Sequence, residues 1–315
     1  MQNNQKIIGI FGSGGFLGKH LMRQLTKSGY RIKVATRNPY LRGYLKSQGN
    51  PGQIELFKVN IFSPDNVKNF LKNCDLIINL VGILYETRKQ KFYQIHSEFP
   101  YLLCNLCNKL RIRNLVHISA LGVKENNASR YMQSKLQGEK NIQDTFKPSV
   151  ILRPSLVFGP SDKFFNTFAS IAQFSPFLPL IGGGKTKFAP IYVGDVAKAI
   201  VKALELNNSE PKIYELGGPE NYSFKELMEI LLKEIKKKRF LLNIPFGIAK
   251  FPLAYFLQIL PNKILTQDQV EILKNSNNIV SDEYPTLKDL GISGTAIQSI
   301  LPKYIYRFRS GGQFG

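Results

Sequence analysis

Tyr131 and Lys135 stand four residues apart in the run Arg130-Tyr131-Met132-Gln133-Ser134-Lys135. On a helix that spacing puts both side chains on one face. An ammonium beside a phenol lowers the phenol's pKa, so the pair offers a general acid or base for proton transfer at a carbonyl or hydroxyl. The same lysine can hold a ribose. A second chemical set lies near the N-terminus, Gly12-Ser13-Gly14-Gly15-Phe16-Leu17-Gly18. Gly12 permits a tight turn, Gly15 lets the backbone approach a pyrophosphate, and Gly18 lets a following helix pack close to the preceding strand. The helix N-terminus then points its N–H groups at the anion, with Ser13, Phe16 and Leu17 around it. Together the two sets are expected to bind a dinucleotide, with or without hydride transfer.

Such residues need particular elements to hold them. The apolar run Ile7–Phe11 precedes the glycines, and Leu17, Leu21 and Leu25 follow on one helical face, giving a strand, a turn and a helix. Further apolar runs at Ile32–Ala35, Ile54–Val59, Leu76–Val81, Leu115–Ser119 and Ser149–Leu152 alternate with helical segments. Runs apolar on both faces suit buried parallel strands, so the expected fold is α/β with a doubly wound parallel sheet. Residues 1–155 are assigned to this nucleotide-binding Rossmann domain. After Arg153 phenylalanine and proline cluster from Phe158 to Pro190, around Gly182-Gly183-Gly184. Ser223 then opens a helix with a capping box to Glu226, and Lys236 to Arg239 close it in the sense the macrodipole favours. Residues 156–315 are expected to form a smaller C-terminal α/β lobe, with 186–218 returning to the Rossmann side and the ligand cleft between the lobes.

The ends of the expected strands carry further groups. The second strand ends Val34-Ala35-Thr36-Arg37 and has no carboxylate for a ribose 2′-hydroxyl. Arg37 offers a guanidinium to a 2′-phosphate instead, with Arg42 assisting, which favours NADP(H) over NAD(H). Leu80, Val81 and Gly82 end the fourth strand and place backbone along the cofactor. The fifth offers Ser119 as the hydroxyl beside a reacting carbonyl, but it lies one or two positions early, with Ala120 or Leu121 where the hydroxyl belongs. Catalytic competence is therefore open. His117 reads as a core residue and His96 as a helix residue, and no metal-ligand cluster stands out.

The glycine turn, Tyr131 with Lys135, Arg153–Pro160, Pro190–Ala197 and Tyr214–Pro219 together resemble extended or atypical short-chain dehydrogenases, the NAD-dependent epimerase/dehydratase family. The likeness runs over most of the chain. At the third strand's end members usually carry Asp and then an apolar residue against the adenine. Asn60 and Ile61 stand here, keeping the acceptor oxygen without the charge. Asn79–Gly82 with Glu86-Thr87, Ser129–Lys135 with Gly138-Glu139-Lys140, and Asp162–Asn166 resemble the branch that supplies an accessory subunit of respiratory complex I, and its bacterial relatives. That resemblance implies a tightly held, structural NADPH, a role in assembly or stability of the complex, and complex I subunits as partners. The competing expectation is an NADP-dependent reductase or epimerase/dehydratase acting on a nucleotide-sugar, isoprenoid or quinone-type substrate.

Composition bounds these readings. The 315 residues are 43% hydrophobic and 21% charged, ordinary for a globular protein. The 43 basic residues exceed the 22 acidic ones, for a net charge of +21 that favours anionic partners such as phosphorylated cofactors or an anionic membrane surface. No basic stripe interleaved with aromatics or nucleic-acid module is read, so nucleic acid is not an expected partner. Cys104 and Cys107 are helical i,i+3 neighbours expected in core, and with Cys74 they suit a reducing compartment. The polar N-terminus, running straight into the first strand, is read as carrying no signal peptide. Phe240–Leu260 is largely apolar, but its prolines point to a broken amphipathic piece rather than a spanning helix. The expected location is peripheral to the inner membrane, on its cytoplasmic or matrix side.

Overall fold

The computed structural model describes residues 5–125, 127–254, 265–275 and 277–312. Its centre is a seven-stranded, all-parallel sheet. The strands are β1 (Ile7–Phe11), β2 (Arg31–Thr36), β3 (Ile54–Lys58), β4 (Leu76–Asn79), β5 (Asn114–Ile118), β6 (Ser149–Pro154) and, much later in the chain, β11 (Lys212–Leu216). Their order is β11-β6-β5-β4-β1-β2-β3. The chain therefore reverses direction across the sheet between β1 and β4, where open α/β sheets form their ligand crevice. Four helices matter most for the site. They are α1 (Phe16–Lys27), α2 (Pro64–Leu71), α3 (Phe99–Lys109) and α4 (Arg130–Thr145).

Each face of the sheet has its own core. Leu21, Met22 and Leu25 of α1 pack with Ile8, Ile10 and Val34 on one face, joined by Val196 to Leu204 of α6 (Val193–Glu205). Phe70 of α2, Leu103, Cys104 and Cys107 of α3 and Ile142 of α4 cover Phe11, Ile77 and Ile151 on the other. The cysteines are free and buried, as their helical spacing implies. Residues beyond position 190 thus complete the main sheet: α6 lies beside α1, and β11 pairs with β6 over Lys212–Leu216.

The remaining strands form pairs. β7 (Val157–Phe158) runs beside β10 (Ile191–Tyr192), β9 (Lys187–Phe188) beside β12 (Tyr222–Ser223), and β8 (Phe177–Ile181) beside β13 (Phe240–Ile244). A third core joins α5 (Phe164–Phe174) and α7 (Phe224–Glu234) to Ile297, Leu301 and Ile305. The Ser223 capping box to Glu226 is present in full.

Three local expectations are corrected. The fourth strand stops at Asn79, because the Asn79 side chain accepts from the Val81 N–H at 3.1 Å and bends the chain away. The basic run does not form the last turn of α7. Lys236 adopts a left-handed φ of 54°, and Lys237 N–H and Lys236 N–H return to the carbonyls of Leu232 and Lys233, so the lysines follow the helix. The apolar segment from Phe240 begins as strand β13, since it finds the equally apolar β8 to pair with, and only short helical pieces follow at 246–254. Its final part, residues 255–260, lies outside the described residues. Among those that are described, no helix is long and apolar enough to cross a membrane.

The crossing of α4 over the segment before α3 leaves no room for a side chain at Gly138, where a Cβ would lie 1.8 Å from the His96 carbonyl oxygen. Gly138→Ala should therefore destabilise by about 3 kcal/mol or more, against the small gain alanine usually brings inside a helix. Urea denaturation measures this, and a loss below about 1 kcal/mol would contradict the packing.

Candidate dinucleotide site

The glycines of the turn after β1 do different jobs. Gly12 has φ +85°, and a Cβ there would lie 2.8 Å from the Leu80 carbonyl carbon, so glycine seats the turn against the chain leaving β4. A Cβ on Gly18 would lie 2.2 Å from the Ser13 carbonyl oxygen, so α1 can fold back on its own turn only with glycine there. Gly15 differs. Its φ is −81°, and the nearest atom to a Cβ is the Gly12 carbonyl oxygen at 3.4 Å. The protein itself tolerates a side chain at 15; a phosphate lying on the turn would not. Gly15 is also the N-cap of α1 and supplies no side-chain acceptor, so the helix's first N–H groups are left to an anion. Ser13 Oγ is buried without a partner in the same turn. Phe16 and Leu17 are half-buried at the helix start. The turn fits a pyrophosphate.

Two guanidiniums stand near it. Arg37 is exposed just past β2 and meets no partner among the described residues. Arg42, treated above only as an assistant, comes closer to the turn, since a Cβ on Gly14 would lie 2.7 Å from its Nε. It donates to Tyr44 Oη at 3.3 Å, and the Lys19 ammonium stands 5.6 Å from the same ring. Asn60 is exposed, and its Oδ1 accepts from the Phe62 N–H at 3.1 Å, so the oxygen expected for an adenine is already engaged in a local turn. Ile61 is half-buried against the α2–α3 core. The chain through Leu80 and Val81 touches the glycine turn, and Gly82 lies next to the α4 groups.

There, Lys135 is buried and donates to the Ile118 carbonyl at 3.0 Å. A Cβ on Gly82 would lie 3.5 Å from Lys135 Nζ and 3.7 Å from His96 Nε2. His96 joins three elements. Its Nε2 accepts from the Ile83 N–H at 3.1 Å, so the proton is on Nδ1, which donates to Ser134 Oγ at 2.9 Å. Ser134 in turn donates to the Tyr131 carbonyl at 2.7 Å. Burial, with Lys135 and His117 adding to it, holds the His96 pKa down to about 2, so the ring stays neutral. The Tyr131 ring meets His96 edge-on at 5.3 Å and Phe92 at 5.7 Å.

The electrostatics at Tyr131 run opposite to the expectation from its spacing to Lys135. Asp268, on the helix Gln267–Asn275, accepts from Ser129 Oγ at 2.8 Å and from the N–H groups of Arg130 and Tyr131 at 2.7 and 3.2 Å. Burial and this carboxylate push the Tyr131 phenol up to about 12. Burial brings the Lys135 ammonium down to about 8, with Glu139 opposing. Tyr131 thus stays protonated near neutral pH. Ser119 is buried with its Oγ unpartnered, and Leu121 is buried core. His117 is also buried; its Nδ1 accepts from the Asn79 amide at 3.0 Å. Neither His96 nor Asp268 was identified as a site residue from sequence. Asp268 lies 139 residues from Ser129, and no local spacing rule reaches it.

The profile of the NAD dependent epimerase/dehydratase family matches residues 8–217, and the chain belongs to that family. Over 96% of its length it is 32% identical to the NADH dehydrogenase [ubiquinone] 1 alpha subcomplex subunit 9, mitochondrial, of Arabidopsis thaliana, covering 78% of that protein. It is 26% identical to the 40 kDa subunit of Neurospora crassa mitochondrial NADH-ubiquinone oxidoreductase, over 97% of this chain and 80% of the relative. A solved NADPH-dependent quinone oxidoreductase from Escherichia coli, complexed with NADPH, has the same fold, with TM-score 0.72 and 19% identity over 95% of this chain and 98% of that one.

Two outcomes follow from the geometry. Gly15→Val should leave the melting temperature of nucleotide-free protein near wild type while abolishing co-purified dinucleotide. Stoichiometric dinucleotide in the variant would contradict the turn's role. The second concerns pH. Lys135 titrates near 8 when folded and near its ordinary 10.5 when unfolded, so the folded state binds fewer protons between those values. The cost of burying the ammonium is full below about pH 8 and fades as pH rises towards about 10.5. Wild type should gain stability relative to Lys135→Met across that window in paired denaturation, whereas parallel profiles would contradict it.

Proposed function

We propose that this protein binds NADP(H) as a structural cofactor and serves as an accessory subunit of a respiratory NADH-quinone oxidoreductase, supporting its assembly or stability. The observation that carries the reading is the state of Tyr131: its phenol is raised rather than lowered, and Asp268 is fixed on the start of its helix. A phenol so raised is not available as a general base near neutral pH. The first turn of α1 would take the pyrophosphate, Arg37 and Arg42 the 2′-phosphate, and Lys135 the nicotinamide ribose. When bound, the nucleotide supplies a hydride donor or acceptor. The subunit role rests on the identity with complex I subunits over nearly the whole chain.

Attachment peripheral to the membrane, on its cytoplasmic or matrix side, is part of the same proposal. Phe177 and Phe240 are paired across β8 and β13 and remain 49% and 73% exposed, with Phe174, just before β8, at 90%; Phe251, further along the chain, is 63% exposed. Of the basic run, Lys237 donates to Gln173 and Arg239 to the Ala172 carbonyl near the end of α5, so apolar contact with the bilayer contributes more than the lysine count implies. A second reading, an NADP-dependent reductase or epimerase/dehydratase on a nucleotide-sugar, isoprenoid or quinone-type substrate, is favoured by the retained Tyr131 and Lys135 pair.

Titration with NADPH and NADH tests the cofactor. NADPH should bind at least tenfold more tightly, and Arg37→Ala or Arg42→Ala should shrink the ratio, since one charge-assisted contact is worth about 1.5–3 kcal/mol. Equal wild-type affinities would contradict the assignment. For the role, Tyr131→Phe should leave the amount of assembled complex near wild type and Lys135→Ala should lower it. A large loss of cellular function from Tyr131→Phe with nucleotide retained would favour the enzyme.

A further inference from the structure

Glu55 is the first acidic residue of the chain, and nine lysines and arginines precede it. The chain holds 22 acids in all, so their absence from the first 54 residues is a local bias. Three of the nine cations have hydrogen-bond or ion-pair partners within the chain: Arg31 pairs with Glu55 at 3.0 Å, Lys33 donates to the carbonyls of Phe70 and Lys72, and Arg42 donates to Tyr44 Oη. Lys19, Arg23 and Lys27 are exposed one turn apart along α1 and meet no carboxylate among the described residues. The segment Tyr40–Gln48 packs beside α1, anchored by the fully buried Leu45. It adds Lys46, again with no carboxylate, and leaves Tyr40 93% and Leu41 72% exposed.

The dinucleotide accounts for only one end of this face. Lys19 and Arg42 stand at the glycine turn, but at 1.5 Å per residue Arg23 and Lys27 lie roughly 11 and 17 Å along α1 from its start. That is out of reach of a pyrophosphate held at the helix N-terminus. Neighbouring cations left unpaired repel one another, and a surface carrying several of them is complementary to carboxylates placed opposite. The large apolar side chains exposed on this segment are Tyr40, Leu41 and, at 41%, Tyr44, a small patch whose third ring is already engaged by Arg42 and Lys19. A projecting aromatic beside cations has the composition of protein-interface anchors. This face is also separate in sequence from the β8–β13 strands assigned above to the membrane.

We infer that the exposed side of α1, together with Tyr40–Gln48, is a docking surface for the acidic face of a protein partner. The inference rests on the accessory-subunit reading, which makes that partner another subunit of the complex. The test uses full-length tagged protein expressed in its native cells, in three forms: wild type, Arg23→Glu/Lys27→Glu/Lys46→Glu, and Tyr40→Ser/Leu41→Ser. Solubilised membranes are resolved on native gels stained for NADH dehydrogenase activity, and the purified proteins are assayed for melting temperature and bound dinucleotide. Wild type should run with the activity. The charge-reversal form should keep its dinucleotide and melting temperature yet lose at least tenfold of that association, with the Tyr40/Leu41 form weakened in the same direction. Wild-type and charge-reversal forms running equally with the activity would overturn the surface while leaving the subunit reading intact. Charge reversal that abolishes binding to phosphatidylglycerol vesicles but spares co-migration would assign the face to lipid and overturn a protein partner. Wild type running apart from the activity would overturn the subunit reading and this surface with it.

Discussion

The fold's functional geometry depends on one backbone contact at the centre of the sheet. The chain leaves β1 towards one face and β4 leads to helices on the other, so a crevice opens between their ends. Gly12 closes the floor of that crevice by lying directly against Leu80 and Val81. A side chain at 12 would push the two apart and move both the start of α1 and the approach to Gly82. From that contact the rest is placed in order: the uncapped first turn of α1, the open position at Gly15, and Gly82 beside Lys135 and His96.

The second centre is the start of α4, where opposing demands meet. A reactive phenol benefits from a nearby positive charge, and Lys135 is retained on the appropriate face. The lysine is buried, however, and its pKa is lowered, while Asp268 brings a negative charge to the Tyr131 N–H. Asp268 simultaneously satisfies three donors at the helix N-terminus, a stabilising role the macrodipole strengthens. The same carboxylate that secures the helix Gln267–Asn275 to the start of α4 thus works against ionisation of Tyr131. His96 fixes the arrangement without titrating, as its two hydrogen bonds need a neutral ring with a defined tautomer.

What was legible in the sequence was local. The glycine spacing, the apolar runs of the buried strands and the Ser223–Glu226 box each depend on residues a few positions apart, and each element is present. The strand ends were less legible, because a single side chain such as Asn79 redirects the backbone. Phe240–Leu260 read as one broken amphipathic piece, and the strand at its start was not legible because its partner, β8, lies some sixty residues earlier and sequence periodicity cannot weigh such pairing. The site divided in the same way. Tyr131, Lys135 and the glycines were visible as motifs, whereas the position of Arg42 on Gly14 and of Asp268 on α4 arises from packing between distant segments.

The central claim is that the bound nucleotide is held and not turned over. Native membranes containing the protein loaded with NADPH deuterated at both C4 positions, incubated with NADH and quinone during respiratory turnover, test it most directly. Mass spectrometry of the nucleotide recovered with the protein should find the deuterium retained and the nucleotide still reduced after many turnovers of the complex. Loss of the label, or its appearance in a reduced product, would contradict a structural role.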